Sequence, residues 1–299
     1  MKSKVLIIFS TMLLFWNCSH NSQQQNNIVV PEDILNQGIN EITDQAMQKI
    51  IDNISSPVEV AALMKKVGVP FSKSLLASTQ YVSNYNTSFQ KATALGIFGA
   101  DLGYLNMYNK TGTVIENLST IRDLSDELKI GQFFDFNTLK RLASSKSDLD
   151  SLMFISVHSF NQMDKYLREN KRGNLSALMI SGVWLEGMYL VTQVVKQYPD
   201  KQLIEKIGEQ KIILDNLMLI LKNYSNDVKF NEYIADIEKV RTEFAKVKIY
   251  FEMGEPEAVE QAGKLTIIQH ETSIVTISDE VLKKIIAVTE EVRNKLIKI

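Results

Sequence analysis

Two acidic residues stand where an acid is costly. Ala177–Gln193 reads ALMISGVWLEGMYLVTQ, with Glu186 as its single charge. Ala94–Tyr108 reads ALGIFGADLGYLNMY, with Asp101 as its single charge. Aligning these acids, 85 residues apart, also aligns Tyr104 with Tyr189, so each segment carries acid-x-x-Tyr. A buried carboxylate has to be paired, hydrogen-bonded or protonated. Residues three and four apart share a helix face, which brings each tyrosine toward its acid. Two chemistries fit. In the first, the acids bond to the tyrosines, or to backbone groups at helix ends, and fix helix register. In the second, Asp101, Tyr104, Glu186 and Tyr189 line a polar ligand-binding pocket between two central helices. Perturbed carboxylates in a cleft are the usual mark of such a site.

The remaining residues argue against most catalytic chemistry. Three scattered histidines (His20, His158, His270) and one cysteine (Cys18) do not make a zinc set. P-loop, GxGxxG, GxSxG and HExxH patterns are missing from the sequence. No catalytic residue, metal or cofactor is therefore assigned. On a helical wheel, His158 turns away from the stripe of Leu149, Met153, Phe160 and Leu167, toward solvent near Lys165. The basic run KYLRENKRG, Lys165–Gly173, sits at a helix C-terminus, where the dipole favours it. No Lys/Arg cluster is interleaved with aromatics, so a nucleic-acid partner is not expected.

The elements that must position the two acids read as helices. Ile28–Ile54 has an apolar stripe at three- and four-residue steps. Ser56, Pro57 and Glu59 form a helix start, and Gly68 its end. Thr113 opens a second capping box, and Gly131 closes that helix. Another helix spans Asp148–Arg168 and ends at Gly173. The Glu186 segment stops at Pro199, and Asp200 caps the next helix, Lys201–Lys222. Phe230–Tyr250 is amphipathic again. Lys264–Ser278 is rich in β-branched residues and predicts an extended segment with one short hairpin. Ser278 then caps a final helix.

The Asp101 and Glu186 helices are apolar nearly all round, so both belong at the centre. Gly96, Gly99 and Gly103 share one helix face and together cost about 3 kcal/mol of helix propensity. A very close helix neighbour, or room for a ligand, would offset that. The spacing of the two acids suggests a diverged helical hairpin, or convergence on one packing solution. Five prolines, mostly at helix boundaries, and short connections predict an all-α fold. It is an antiparallel multi-helix bundle or helical-hairpin array, with a short β-hairpin before the last helix.

The chain begins MKSKVLIIFSTMLLFWNCSH. Lys2 and Lys4 precede the apolar stretch Val5–Trp16, which is too short to span a bilayer but suits a secretory signal. Cys18 follows directly. This beginning resembles a bacterial lipoprotein signal of the looser Bacteroidetes type, with Phe15 and Asn17 before the cysteine. The resemblance covers about the first 18 residues. It implies cleavage after residue 17, lipidation of Cys18 and anchoring to a membrane. Ser19–Asn27 has the composition of a polar tether. No acidic run follows Cys18, so the expected orientation is toward the periplasm.

Taking residues 1–17 away removes Lys2 and Lys4 from 33 Lys+Arg, leaving 31 against 35 Asp+Glu, a net of −4. The expected organisation is a signal at 1–17, lipidated cysteine and tether at 18–30, and a helical domain at 31–263. Residues 264–299, an extended segment and a helix, pack on that same domain. The function expected is a non-enzymatic envelope lipoprotein that binds a protein partner or supports an assembly. The alternative is a small-ligand-binding protein or enzyme using the Asp101–Glu186 pocket.

Overall fold

The computed structural model describes residues 57–144, 149–254, 257–261, 264–268 and 271–298. Cys18, the tether, the 28–54 stripe, Ser56 and His270 lie outside the described residues. The fold is an all-α multi-helix bundle with a β-hairpin before the last helix. Nine α-helices are described: α1 (Pro57–Lys66), α2 (Ser88–Met107), α3 (Thr111–Glu127), α4 (Phe136–Ala143), α5 (Leu149–Glu169), α6 (Gly173–Gln197), α7 (Lys201–Lys222), α8 (Val228–Phe244) and α9 (Asp279–Ile297). Short 3₁₀ turns at Lys73–Leu75 and Thr79–Asn84 join α1 to α2.

The two helices without a polar face are the centre. α2 and α6 pack on each other, and α1, α3, α5, α7 and α9 pack on one or both of them, while α8 reaches them through Tyr233, which bonds Ser181 of α6 and meets the Phe89 ring of α2. The contact is close because glycine permits it. A Cβ on Gly96 would fall onto the Met179 carbonyl, and one on Gly182 onto the Thr93 carbonyl. Here the cost in helix propensity is offset by backbone-to-backbone packing. Gly99 serves differently, leaving room for the Phe160 ring. From the Gly96–Gly182 crossing, both chains run on to Asp101 and Glu186, so α2 and α6 pass through the core in the same sense. By length and composition α6 could cross a membrane, but 89% of its apolar window is buried, so it is a core helix.

Local signals hold at some helix ends and fail at others. Asp200 accepts from Leu203 N–H at 3.1 Å and Ser278 from Val281 N–H at 3.3 Å, as their sequence contexts predict. Gly68, at φ +83°, follows α1. Thr113, in contrast, is not a cap: α3 begins two residues earlier, at Thr111, after a left-handed Asn109. Left-handed Lys129 and Lys171 take the turns after α3 and α5, in place of Gly131 and Gly173. Gly173 instead opens α6, where a Cβ would strike the Tyr224 hydroxyl.

The extended region begins earlier than its β-branched composition suggests. The helix expected over 230–250 stops at Phe244, and β1 (Lys248–Met253) follows. β1 pairs antiparallel with β4 (Glu271–Thr276), with Tyr250 opposite Ile274. Nested inside, β2 (Glu257–Gln261) pairs with β3 (Lys264–Ile268). Ile249 and Val275 pack on the helical core, β1 and β4 resting against α7. α9 then returns to pack on α6 and α8.

Candidate functional site

The two acids do meet. Asp101 lies on α2 and Glu186 on α6, both at 0% exposure, and their carboxyl groups face one another. The third member is Arg293 of α9, which is 4% exposed. Its Nε and Nη2 donate to Glu186 Oε2 and Oε1 at 2.8 and 2.7 Å, a bidentate pair. Its guanidinium lies 4.2 Å from the centre of the Tyr189 ring, a cation–π contact. Nη2 also reaches the Leu75 carbonyl at 3.4 Å.

Neither tyrosine is the hydrogen-bond partner of its acid. Tyr104 turns its hydroxyl to the Ser72 N–H, which donates to it at 3.0 Å. Asp101 takes the backbone alternative, its Oδ2 accepting from Ala77 N–H at 2.9 Å. Tyr189 supports Arg293 through its ring face. The site therefore binds the protein's own chain. Ser72, Leu75 and Ala77, in the segment between α1 and α2, each give one backbone group to it. Tyr108 adds a fourth tie by donating to the Val69 carbonyl at 2.8 Å. Tyr85 donates to the Ile297 carbonyl at 2.9 Å and joins the same region to the end of α9.

The electrostatics follow from burial. Burial first, and then the Glu186 charge, push the Asp101 carboxyl well above the ordinary carboxylate range. Arg293 and the Ala77 N–H only partly oppose this. Of the two facing acids, Asp101 is the one that burial drives toward its protonated form. Its Oδ1 meets no donor among the described residues. Glu186 and Arg293 offset each other's charge as a bidentate pair. Burial acts to lower the Arg293 pKa, but the Glu186 charge and hydrogen bonds outweigh it and hold it above its ordinary value. Burial also raises Tyr85, to about 12, so its hydroxyl stays a donor.

Two members of the cluster escaped sequence reasoning. Arg293 is 107 residues from Glu186. A signal for it exists: Leu282, Ile286, Thr289, Arg293 and Ile297 follow at three- and four-residue steps, so a charge sits on the buried face of α9. The backbone groups of Ser72, Leu75 and Ala77 had no side-chain signal at all. His158 is exposed, stacked with Phe154 at 6.4 Å, away from the cluster. Among the described residues no group of three or more His, Cys, Asp or Glu is placed to hold a metal ion.

A separate cleft lies on the other side of the tied segment. It has a volume of about 260 Å³ and is lined by the 73–80 segment, Leu105 of α2 and Thr113, Glu116 and Asn117 of α3. Ala77 belongs to both places: it lines the cleft while its N–H bonds to Asp101.

No protein-family model, curated protein or solved structure matches this chain.

Proposed function

We propose that this chain is a lipid-anchored protein of the cell envelope, facing the periplasm. Its helical domain binds a protein partner or supports an assembly and catalyses no reaction. One observation carries the reading. Tyr250, Phe251, Met253 and Ile274 on the β1–β4 pair are 54%, 51%, 67% and 38% exposed. Ile249 and Val275 hold the base of the pair on the core, and the apolar row continues past them as Phe251 and Met253. Tyr250 and Ile274 pair on the opposite face, so both faces of the ribbon present apolar side chains to water, as interaction surfaces do. A two-stranded ribbon is also marginal in water without something to pack on.

The acid cluster supports this reading from the other side. A ligand between Asp101 and Glu186 would have to displace Arg293 from two short bonds in a fully buried space. Breaking such a pair costs about 3–5 kcal/mol before any ligand contact is made. The anchor and tether come from the lipoprotein resemblance of the first 18 residues.

A photo-crosslinking residue placed at Phe251 in intact cells tests the proposal. Discrete adducts are expected there, weakened by Met253→Glu, and absent when the probe replaces exposed Lys201. Equal labelling at both positions, or none at Phe251, would count against partner binding through this surface.

A further inference from the structure

We infer that the cleft between the 73–80 segment and α3 is a binding site for a small zwitterion, an α-amino acid or a short peptide with free termini. This goes beyond partner binding and concerns a different face of the molecule.

The chemistry of the walls sets the ligand class. Lys73, on one wall, makes no ion pair among the described residues. Glu116, on α3, has only the Thr79 hydroxyl at 3.1 Å as a side-chain partner among the described residues. One cation and one anion, on different elements, suit a ligand carrying both charges. A phosphate would want further cations and no carboxylate in the cleft. A sugar would want an aromatic ring to stack on, and none of the described residues lining the cleft is aromatic. Leu76, Ala77 and Leu105 supply the apolar surface for a small side chain. A volume of about 260 Å³ lies just under the range for drug-sized ligands, so the ligand is small.

Asn117 points to a ligand independently. It lines the cleft at 5% exposure, and its Oδ1 has no hydrogen-bond partner among the described residues. A buried amide left this way costs stability. Its Oδ1 is enclosed, so a ligand in the cleft would meet the Nδ2 end of the amide, which can donate to a carboxylate.

The same geometry gives the buried cluster a role. The Lys73–Ala77 stretch is the outer wall of the cleft, and Tyr104, Arg293 and Asp101 hold it through Ser72, Leu75 and Ala77. These three are positioning residues for the cleft, which they do not line.

Calorimetry on the full-length chain in detergent tests this, with the twenty free amino acids and L-alanyl-L-alanine as probes. At least one probe should bind with a Kd below about 10 mM. Lys73→Met and Glu116→Gln, both at exposed positions, should each weaken it about tenfold or more. Blocking the ligand's amine by acetylation, or its carboxylate as an amide, should do the same. Asn117→Leu should abolish binding and melt no lower than wild type. The inference is overturned if no probe binds, or if blocked and free probes bind equally. It is also overturned if Asn117→Leu melts well below wild type, since the amide would then be a structural group. None of these outcomes depends on crosslinking at Phe251, so the two proposals fail separately.

Discussion

Arg293→Met isolates the central claim that Glu186 is buried because it is paired. The substitution keeps most of the side-chain length and the helix propensity of α9. It removes both donors to Glu186 and leaves that carboxylate at 0% exposure with no cation beside it. The cation–π contact with Tyr189 and the bond to Leu75 go as well. Removing one partner of a buried pair costs about 3–5 kcal/mol, because an uncompensated charge remains. With a urea slope of about 3 kcal/mol/M, the unfolding midpoint should fall by roughly 1–2 M. Far-UV circular dichroism against urea reads this directly. The matching double variant, Glu186→Met with Arg293→Met, removes both charges of the pair together. It should recover to within about 1 kcal/mol of wild type, or exceed it. Glu186→Met alone should be nearly as costly as Arg293→Met, since it strands the guanidinium. The reasoning fails if Arg293→Met costs less than about 1 kcal/mol, or if the double variant loses the sum of the two single effects.

Three further outcomes are expected. Asp101→Asn keeps an acceptor for Ala77 N–H and offers N–H groups to Glu186. Because the folded pKa of Asp101 is raised, the native state holds a proton that the unfolded chain releases. The stability that this acid contributes is full below its unfolded pKa and drains as pH rises toward the folded one, by up to about 1.4 kcal/mol per pH unit. Asp101→Asn should therefore be more stable than wild type at alkaline pH, by a margin that widens with pH in urea titrations. A constant margin would mean that Asp101 is ionised in the fold. Gly96→Ala should destabilise by about 1–3 kcal/mol despite alanine's better helix propensity, because its methyl meets the Met179 carbonyl. A stabilised variant would refute the close crossing. Cys18→Ser should move the protein from the membrane fraction to the soluble one, and unchanged membrane attachment would refute the anchor.

Much of the helical frame could be read locally. A helix repeats its environment every three to four residues, so the stripes of α5, α7 and α9 are visible in the chain itself. Asp200 and Ser278 act as caps through bonds three residues away, which are equally local. The uniform apolarity of α2 and α6 was enough to put both at the centre, and the glycines of α2 were enough to suggest a close neighbour. The turns were less legible. Lys129 and Lys171 take left-handed conformations that lysine does not advertise, so the nearby glycines drew the eye instead. β1 was hidden for a related reason. Val247, Ile249, Phe251 and Met253 alternate as a strand does, but they follow directly on the helical pattern of α8, and a short apolar run fits both periods.

The acid cluster divides along the same line. That Asp101 and Glu186 would be buried, and would need partners, follows from their apolar surroundings and from the cost of an unpaired charge. Who those partners are does not. Glu186 is held from 107 residues away, and Asp101 is held by a backbone N–H that any residue but proline at position 77 would offer. The acid-x-x-Tyr spacing correctly placed each tyrosine near its acid. Packing then turned the Tyr104 hydroxyl to Ser72 and the Tyr189 ring to Arg293. Spacing along a helix fixes which side chains are neighbours. Only the fold decides which outside group arrives to satisfy them, because that group comes from an element whose position no local period records.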